Sequence, residues 1–341
     1  MTNPIDPSHV TRLVDSARRS LEQAGEPGHD VRLVGPPVVT ARSRLYLLGR
    51  IPPTADYVLK EPLAGDAAVD TDPPLSARAQ FEALKLASAW QGAGSAVSRP
   101  VALLEGSGAF LMEHVSGRSF TRELRLSVAR PADARRAVAT AGNCLRALHE
   151  HGRRSRTEVG LRDLAEEVRQ VADAVLRPVG SRLPEAVEEA LVQVPATVVP
   201  VIEVLKHGDF VPSNLIVTGP GHLTLIDPVL HDVGLPEDDL ARFLSVLSSE
   251  TVFVAGAVVP GPARRRRDLE ELFRATAGPT GNDPRLLELR LLGQYVVRWV
   301  RRRGLTRLPE HSLPARMRRR LVDTHMRQLL VEASQRLAGL H

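Results

Sequence analysis

The chain carries His207-Gly208-Asp209-Phe210-Val211-Pro212-Ser213-Asn214 and then Leu225-Ile226-Asp227, whose Asp227 stands thirteen residues after Asn214. An Asp, an Asn five residues later and a second Asp closing an apolar run are the residue types that metal-assisted phosphoryl transfer uses. One carboxylate orients an attacking hydroxyl; an amide oxygen and another carboxylate hold Mg²⁺ against a nucleotide's phosphates. The intervening sequence fits a hairpin. Leu215-Ile216-Val217 leaves as a strand, Gly219-Pro220-Gly221 turns, and Leu223 to Ile226 returns, which is expected to bring Asp227 back beside the loop. Asp and Asn are also ordinary loop residues; the spacing and the residues upstream set this stretch apart from a plain turn.

The segment from His207 to Asp227, with Asp238-Asp239-Leu240-Ala241-Arg242 after it, resembles the aminoglycoside phosphotransferase and choline kinase-like families, small-molecule kinases with a protein-kinase-like fold. Their loop reads His-Gly-Asp-x4-Asn, and the metal aspartate follows in Ile-Asp. The resemblance runs more loosely from about Val31 to Leu247. It implies Asp209 as the catalytic carboxylate, Asn214 and Asp227 as Mg²⁺ ligands, His207 as a support of the loop, and Asp239 as its brace. It also implies ATP or GTP as co-substrate. Pro228 restrains the backbone after Asp227, so a constitutively assembled site without an activation loop is expected.

Upstream, Asp30 to Val39 and Arg44 to Gly49 are β-rich, and Asp56 to Pro62 reads as a third strand ended by proline. That order is a kinase N-lobe's, whose third strand carries a lysine for the α and β phosphates; Lys60 stands there. The chain has only three lysines, Lys60, Lys85 and Lys206, against 42 arginines. A compact ammonium at Lys60 therefore marks a place that a broad guanidinium does not fill. A helix over Ser76 to Trp90 carries Glu82, expected to orient Lys60. Met112, Glu113, His114 and Val115 are the expected hinge, whose backbone would bond the adenine edge. No Gly-x-Gly-x-x-Gly loop is present; Ser43, or a charge from Arg42 or Arg44, is expected to contact phosphate instead.

Ala132 to Gly152, Leu161 to Leu176 and Pro184 to Val192 read as helices, and Val198 to Leu205 as the strand entering the loop. His149 and His151 are expected to be structural, since no cysteine or further histidine stands at zinc spacing. These readings give an α+β, two-lobed protein-kinase-like fold: a small antiparallel-sheet N-lobe over 1–113, and a mainly helical C-lobe over 114–341.

Composition sets the outer limits. At 341 residues, 43% hydrophobic and 25% charged, the chain suits a globular protein with two sizeable cores. One cysteine, no basic-then-apolar leader and no 18-residue apolar stretch lead to the expectation of a cytoplasmic protein without a transmembrane segment. Residues 251–341 hold 18 arginines against 8 acids, in runs such as Arg264-Arg265-Arg266-Arg267 and Arg301-Arg302-Arg303. Polycationic acceptors need an acidic cleft, so this polarity favours neutral or anionic acceptors; the bland account is solvated helix faces. At 4% aromatic content, with no nucleic-acid motif between the basic runs, nucleic acid is a poor partner. The expected function is a small-molecule kinase phosphorylating a hydroxyl of an antibiotic, sugar or amino alcohol. The alternatives are a nucleotide-binding scaffold without turnover, and a peripheral binder of anionic surfaces through the arginine-rich region.

Overall fold

The computed structural model describes residues 6–40, 43–63, 76–88, 90, 95–127, 129–151, 155–229, 233–254, 260–304 and 313–340. The chain divides into two compact units: residues 1–91, 96–116 and 224–230 form the first, and the remainder forms the second. The expected division at 113/114 assigned 224–230 to the C-lobe. The contacts of that segment, Asp227 included, belong to the first unit.

In the first unit, helix α1 (Pro7–Gln23) starts where Asp6 accepts a hydrogen bond from the Ser8 N–H at 2.9 Å and proline occupies the first turn. Strands β1 (Arg32–Leu33), β2 (Val38–Val39), β3 (Ser43–Gly49) and β4 (Tyr57–Pro62) precede helix α2 (Ala77–Ser88). Strands β5 (Ser95–Val97), β6 (Pro100–Leu104) and β7 (Ala109–Glu113) follow. The sheet runs β1-β3-β4-β7-β6 with β2 on β3, and every pairing along it is antiparallel. Strand alternation separates its faces. Tyr46, Leu48, Leu59 and Leu111 pack with Leu13, Val14, Ala17 and Leu21 of α1. Leu45, Leu47, Val58, Phe110 and Met112 pack with Ala77, Phe81 and Leu84 of α2. Lys60 has the parity of Val58, and its register partners are Leu45 and Phe110, which puts it on the α2 face.

The second unit contains β8 (Arg118–Ser119), α3 (Phe120–Arg125), α4 (Pro131–His151), β9 (Ser155–Gly160), α5 (Leu161–Leu176) and α6 (Glu185–Gln193). Strand β10 (Val198–Leu205) leads to the 207–214 loop, followed by β11 (Leu215–Gly219), by β12 (His222–Leu225), whose last two residues belong to the first unit, and by β13 (Val233–Gly234). Helices α7 (Pro236–Ser248), α8 (Thr251–Val254), α9 (Pro260–Ala277), α10 (Pro284–Gly304) and α11 (Leu313–Ala338) complete it. β10 lies between β13 and β9, and β8 pairs with β11. Helix α4 lies along α9, where a side chain on Gly142 would strike Thr276 and the backbone of Ala277. Cys144 is buried in α4, as expected of a small hydrophobe, and burial pushes its thiol up to about 12.

An aromatic chain anchors the loop. Phe210 lies 5.5 Å from Phe243 between ring centroids, Phe243 meets Phe120 edge-on at 5.7 Å, and Phe273 stacks on Phe243 at 4.0 Å. The arginine runs do not form one solvated face. Arg266 is 1% exposed and clasps Glu270 at 2.7 Å and Glu332 at 2.5 Å, while Arg303 reaches Asp323 at 2.8 Å. Arg274 and Arg336 share Glu288 at 2.9 and 3.0 Å. Much of the C-terminal positive charge is thus spent inside the unit. Among the described residues no helix is long and apolar enough to cross a membrane.

His325 gives this unit an acid sensitivity. It is 2% exposed, its Nε2–H donates to the Ser248 carbonyl at 2.8 Å, and burial pushes its pKa down to about 4. The unfolded chain takes up that proton near pH 6.5 and the folded chain does not. Its stabilising effect is complete above about pH 6.5 and declines as pH falls toward 4, by up to ~1.4 kcal/mol per pH unit. Urea midpoints measured across that window are expected to show a shallower slope for His325→Gln than for the wild type; parallel slopes would contradict the assignment.

Candidate active site

The loop after β10 is built around Asp239. This carboxylate is 1% exposed and accepts the backbone N–H of His207 at 2.8 Å, that of Gly208 at 3.0 Å, and His149 Nε2 at 3.1 Å. Burial by itself would raise its pKa. The bonds from His149 and His207 outweigh that and hold it below the ordinary aspartate value. Gly208 sits at φ 77°, a left-handed turn that a side chain would strain. The buried His207 ring packs edge-on against Phe210, and its Nδ1 accepts the Asp209 N–H at 3.3 Å. The structure thus places Asp239 against the loop backbone, with His149 and the His207 N–H both bonded to its carboxylate.

Asp239→Ala would strand three donors, two of them buried. A loss of ~3 kcal/mol is expected in urea unfolding, together with a fall in turnover. Unchanged stability would contradict the bracing role.

Asp209 is fixed by two side chains. Asn214 Nδ2 donates to Asp209 Oδ2 at 2.8 Å and to its backbone carbonyl at 3.0 Å, and Arg242 Nη1 donates to Oδ1 at 2.9 Å. Both carboxylate oxygens are therefore oriented, and the Asn214 amide is engaged with Asp209 through its nitrogen, not its Oδ1. Arg242 was not among the residues picked from sequence. The available signal was its position three residues after Asp239 on α7: a helix that presents Asp239 to the loop presents residue 242 beside it. Lys206, just before the loop, pairs with Asp238 at 2.8 Å.

In the first unit Lys60 is 5% exposed and its ammonium pairs with Asp227 Oδ1, with the Phe110 ring 6.0 Å away. Asp227 has φ 59°, and it is the one non-glycine residue with positive φ among the described residues. Such a conformation costs a non-glycine residue ~1–2 kcal/mol, least for Asp and Asn. It is held immediately before Pro228.

Three expectations are corrected here. Glu82 does not meet Lys60: half-exposed on α2, it pairs with Lys85 at 3.2 Å, because Ala77, Phe81 and Leu84 take the sheet-facing phase of that helix. Ser43 is buried, and its hydroxyl and backbone bond Thr40 across the β2–β3 turn at 2.8–3.0 Å, so it closes the turn. Arg44 is held by Glu61 at 3.4 Å, and Arg42 lies outside the described residues. The expected hinge is largely committed to the sheet. Met112 pairs with Val58 and Pro100. The Glu113 and His114 N–H groups bond the Arg99 and Asp56 carbonyls at 2.9 and 2.8 Å, and the Glu113 carbonyl accepts from Ser98 at 2.8 Å. Among the described residues, Val115 is the member of the four whose main chain carries no such bond.

The family model described as the phosphotransferase enzyme family matches residues 43–272, about two thirds of the chain. The chain belongs to that family. It is a small-molecule phosphotransferase, a kinase with a hydroxyl acceptor. A glucosamine kinase solved in complex with glucosamine, ADP and inorganic phosphate is 17% identical to it; the alignment covers 99% of this chain and 88% of that one with a TM-score of 0.56. An aminoglycoside phosphotransferase from Alicyclobacillus acidocaldarius is 13% identical over 99% of this chain and 98% of its own, at 0.49. At these identities the likeness to the glucosamine kinase shows the fold: the α+β, protein-kinase-like architecture of the family. Among curated proteins none matches the sequence.

Proposed function

We propose that this phosphotransferase moves the γ-phosphoryl group of ATP or GTP to a hydroxyl of a small sugar-like or amino-alcohol acceptor, with Asp209 as the carboxylate that receives the acceptor's proton. The observation that carries this reading is the fixed orientation of Asp209 by Asn214 and Arg242. A transfer with a loose transition state needs an aimed nucleophile more than a strong base, and an oriented carboxylate supplies the aim. Lys60, the buried lysine of β4, is assigned to the nucleotide's phosphates. Of the four hinge candidates, Val115 is the one with neither its N–H nor its C=O in the main-chain bonds described above, which leaves both for the base. Glu82 and Ser43 drop out of the binding set, because their side chains are engaged elsewhere.

Mg²⁺ is assigned to Asn214 and Asp227, each of which has an oxygen of the right kind to offer. The Asn214 amide offers an oxygen because its nitrogen bonds Asp209, and the Asp227 side chain, 39% exposed, has one carboxylate oxygen outside the Lys60 pair. Hard oxygens in small number match an ion that relies on phosphates and water for its other ligands. When bound, it neutralises charge on the phosphates. No group of three or more acidic, His or Cys side chains that might hold a metal by itself occurs among the described residues.

A scaffold without turnover has no observation in its favour. The reading as an anionic-surface binder is weakened by the internal pairing of Arg266, Arg274, Arg303 and Arg336. The test is nucleoside diphosphate release from ATP and GTP across sugars, amino sugars, choline-like alcohols and aminoglycosides. Acceptor-stimulated release that requires Mg²⁺ is expected; its absence with every acceptor would count against the reading.

A further inference from the structure

The charge around Asp209 bears on what kind of acceptor it serves. Helix α10 carries Arg298, Arg301 and Arg302 at positions i, i+3 and i+4, which share one helix face. This helix packs along α7, the helix that brings Arg242 to Asp209. Arg301, Arg302, Asp209 and Arg242 all lie near enough to act on the charge of Arg298. Arg302 has Glu250 at 3.4 Å, and Arg242 has Asp209 at 2.9 Å. Among the described residues, Arg298 makes neither an ion pair nor a side-chain hydrogen bond.

Its guanidinium, with five N–H donors, is partly buried beside three like charges. Burial first, then Arg301 and Arg302, push its pKa down to about 10, while Asp209 acts in the opposite direction. It remains a full cation at neutral pH. Asp209 does not bond it: the side-chain donors to this carboxylate are Asn214 and Arg242, and the remaining lone pairs face the acceptor hydroxyl in the proposed reaction. A desolvated cation among cations is unfavourable until an anion joins it. The planar fork of an arginine matches a carboxylate or phosphate through paired hydrogen bonds.

We infer that Arg298 binds an oxyanion carried by the acceptor itself, a carboxylate or phosphate on the hydroxyl-bearing molecule, so that the hydroxyl set before Asp209 belongs to an acidic alcohol. This rests on the reading of Asp209 as the catalytic carboxylate. It goes further by giving the acceptor a charge and a residue that selects it. Arg298 is a specificity residue in this account, and a polycationic acceptor is disfavoured by the same four guanidinium groups.

The experiment is calorimetric titration of the full chain saturated with Mg·ADP, so that the nucleotide's own phosphate positions are filled. The probes share a six-carbon skeleton and differ in charge: gluconate, glucose 6-phosphate, glucose and glucosamine. At least one of the first two is expected to bind ~10-fold or more tightly than the neutral and cationic probes, and which one does so distinguishes a carboxylate from a phosphate. Arg298→Ala is expected to weaken the anion by ~10- to 100-fold, the worth of a charge-assisted bond, and to keep its Mg·ADP affinity. Arg298→Lys should recover part of the loss. Equal binding of all four probes, failure of both anions to bind, or an Arg298→Ala defect confined to Mg·ADP would overturn the inference. Failure of the wild type to bind Mg·ADP would appear before any probe is added, and would remove the kinase reading on which the inference stands.

Discussion

Asp209→Ala is expected to lower kcat by ~10²–10⁴-fold while leaving Mg·nucleotide affinity within about three-fold of the wild type. Alanine is the better choice for a physical reason. Asn214 bonds both the carboxylate of Asp209 and its backbone carbonyl, at 2.8 and 3.0 Å. The carbonyl bond survives in the alanine variant and keeps the Asn214 amide turned as it is, with its oxygen available. In Asp209→Asn a second NH₂ group would face the first, favouring a flip of Asn214 and confusing loss of the proton acceptor with loss of an oxygen ligand. Single-turnover phosphoryl transfer together with ADP titration separates the two effects. If Asp209→Ala lost nucleotide binding along with turnover, the carboxylate would belong to the nucleotide's site and the assignment to the acceptor would fail.

The second large effect is an asymmetry between two partners of one ion pair. Lys60 and Asp227 are bonded to each other, with side chains 7% and 39% exposed. Removing the exposed partner leaves a buried ammonium without an anion, which costs ~1–3 kcal/mol. Asp227→Ala also places alanine at φ 59°, where it is less tolerated than aspartate by up to ~1 kcal/mol. Together a loss of ~2–4 kcal/mol in urea unfolding is expected. Lys60→Met removes the buried charge, fills its space with an apolar chain beside Phe110 and lets the Asp227 carboxylate return to water. Its stability is expected within ~1 kcal/mol of the wild type. Asp227→Asn, which keeps both the tolerance for positive φ and an oxygen toward Lys60, should fall between them. All three should transfer phosphoryl poorly. Equal destabilisation by Asp227→Ala and Lys60→Met would show that the pair is not arranged as described.

Which features were legible in the sequence follows from what each depends on. The loop at 207–214 and the Ile-Asp at 226–227 were legible because phosphoryl transfer restricts residue type and spacing together. Strands β3 and β4 were legible because both faces of their sheet are covered, leaving apolar runs at Leu45 to Leu48 and at Tyr57 to Leu59, the latter followed by Lys60 and Glu61. Helix α1 was not anticipated. Its inward stripe is only Leu13, Val14, Ala17 and Leu21, set among arginines, serines and acids, and its partner sheet lies later in the chain.

The partner of Glu82 was not legible because the rotation of α2 about its axis is decided by which residues the sheet accepts, and the sequence offers apolar residues on more than one side of it. The arginine-rich end shows the same limit. Its charge was countable, but the burial of Arg266 depends on Glu332, sixty-six residues away, and the isolation of Arg298 depends on what α7 and α10 bring together. Sequence records the sign of a charge well and the identity of its partner poorly.

The central claim is that this chain transfers a phosphoryl group to a hydroxyl and that Asp209 receives the proton. It is tested most directly by mass spectrometry of acceptor mixtures, acidic and neutral alcohols together, incubated with ATP, Mg²⁺ and either wild-type protein or Asp209→Ala. The account predicts one acceptor gaining the mass of a phosphoryl group with the wild type, and a yield at least ~100-fold lower with the variant at equal nucleotide occupancy. Phosphorylated product formed equally well by Asp209→Ala would contradict it.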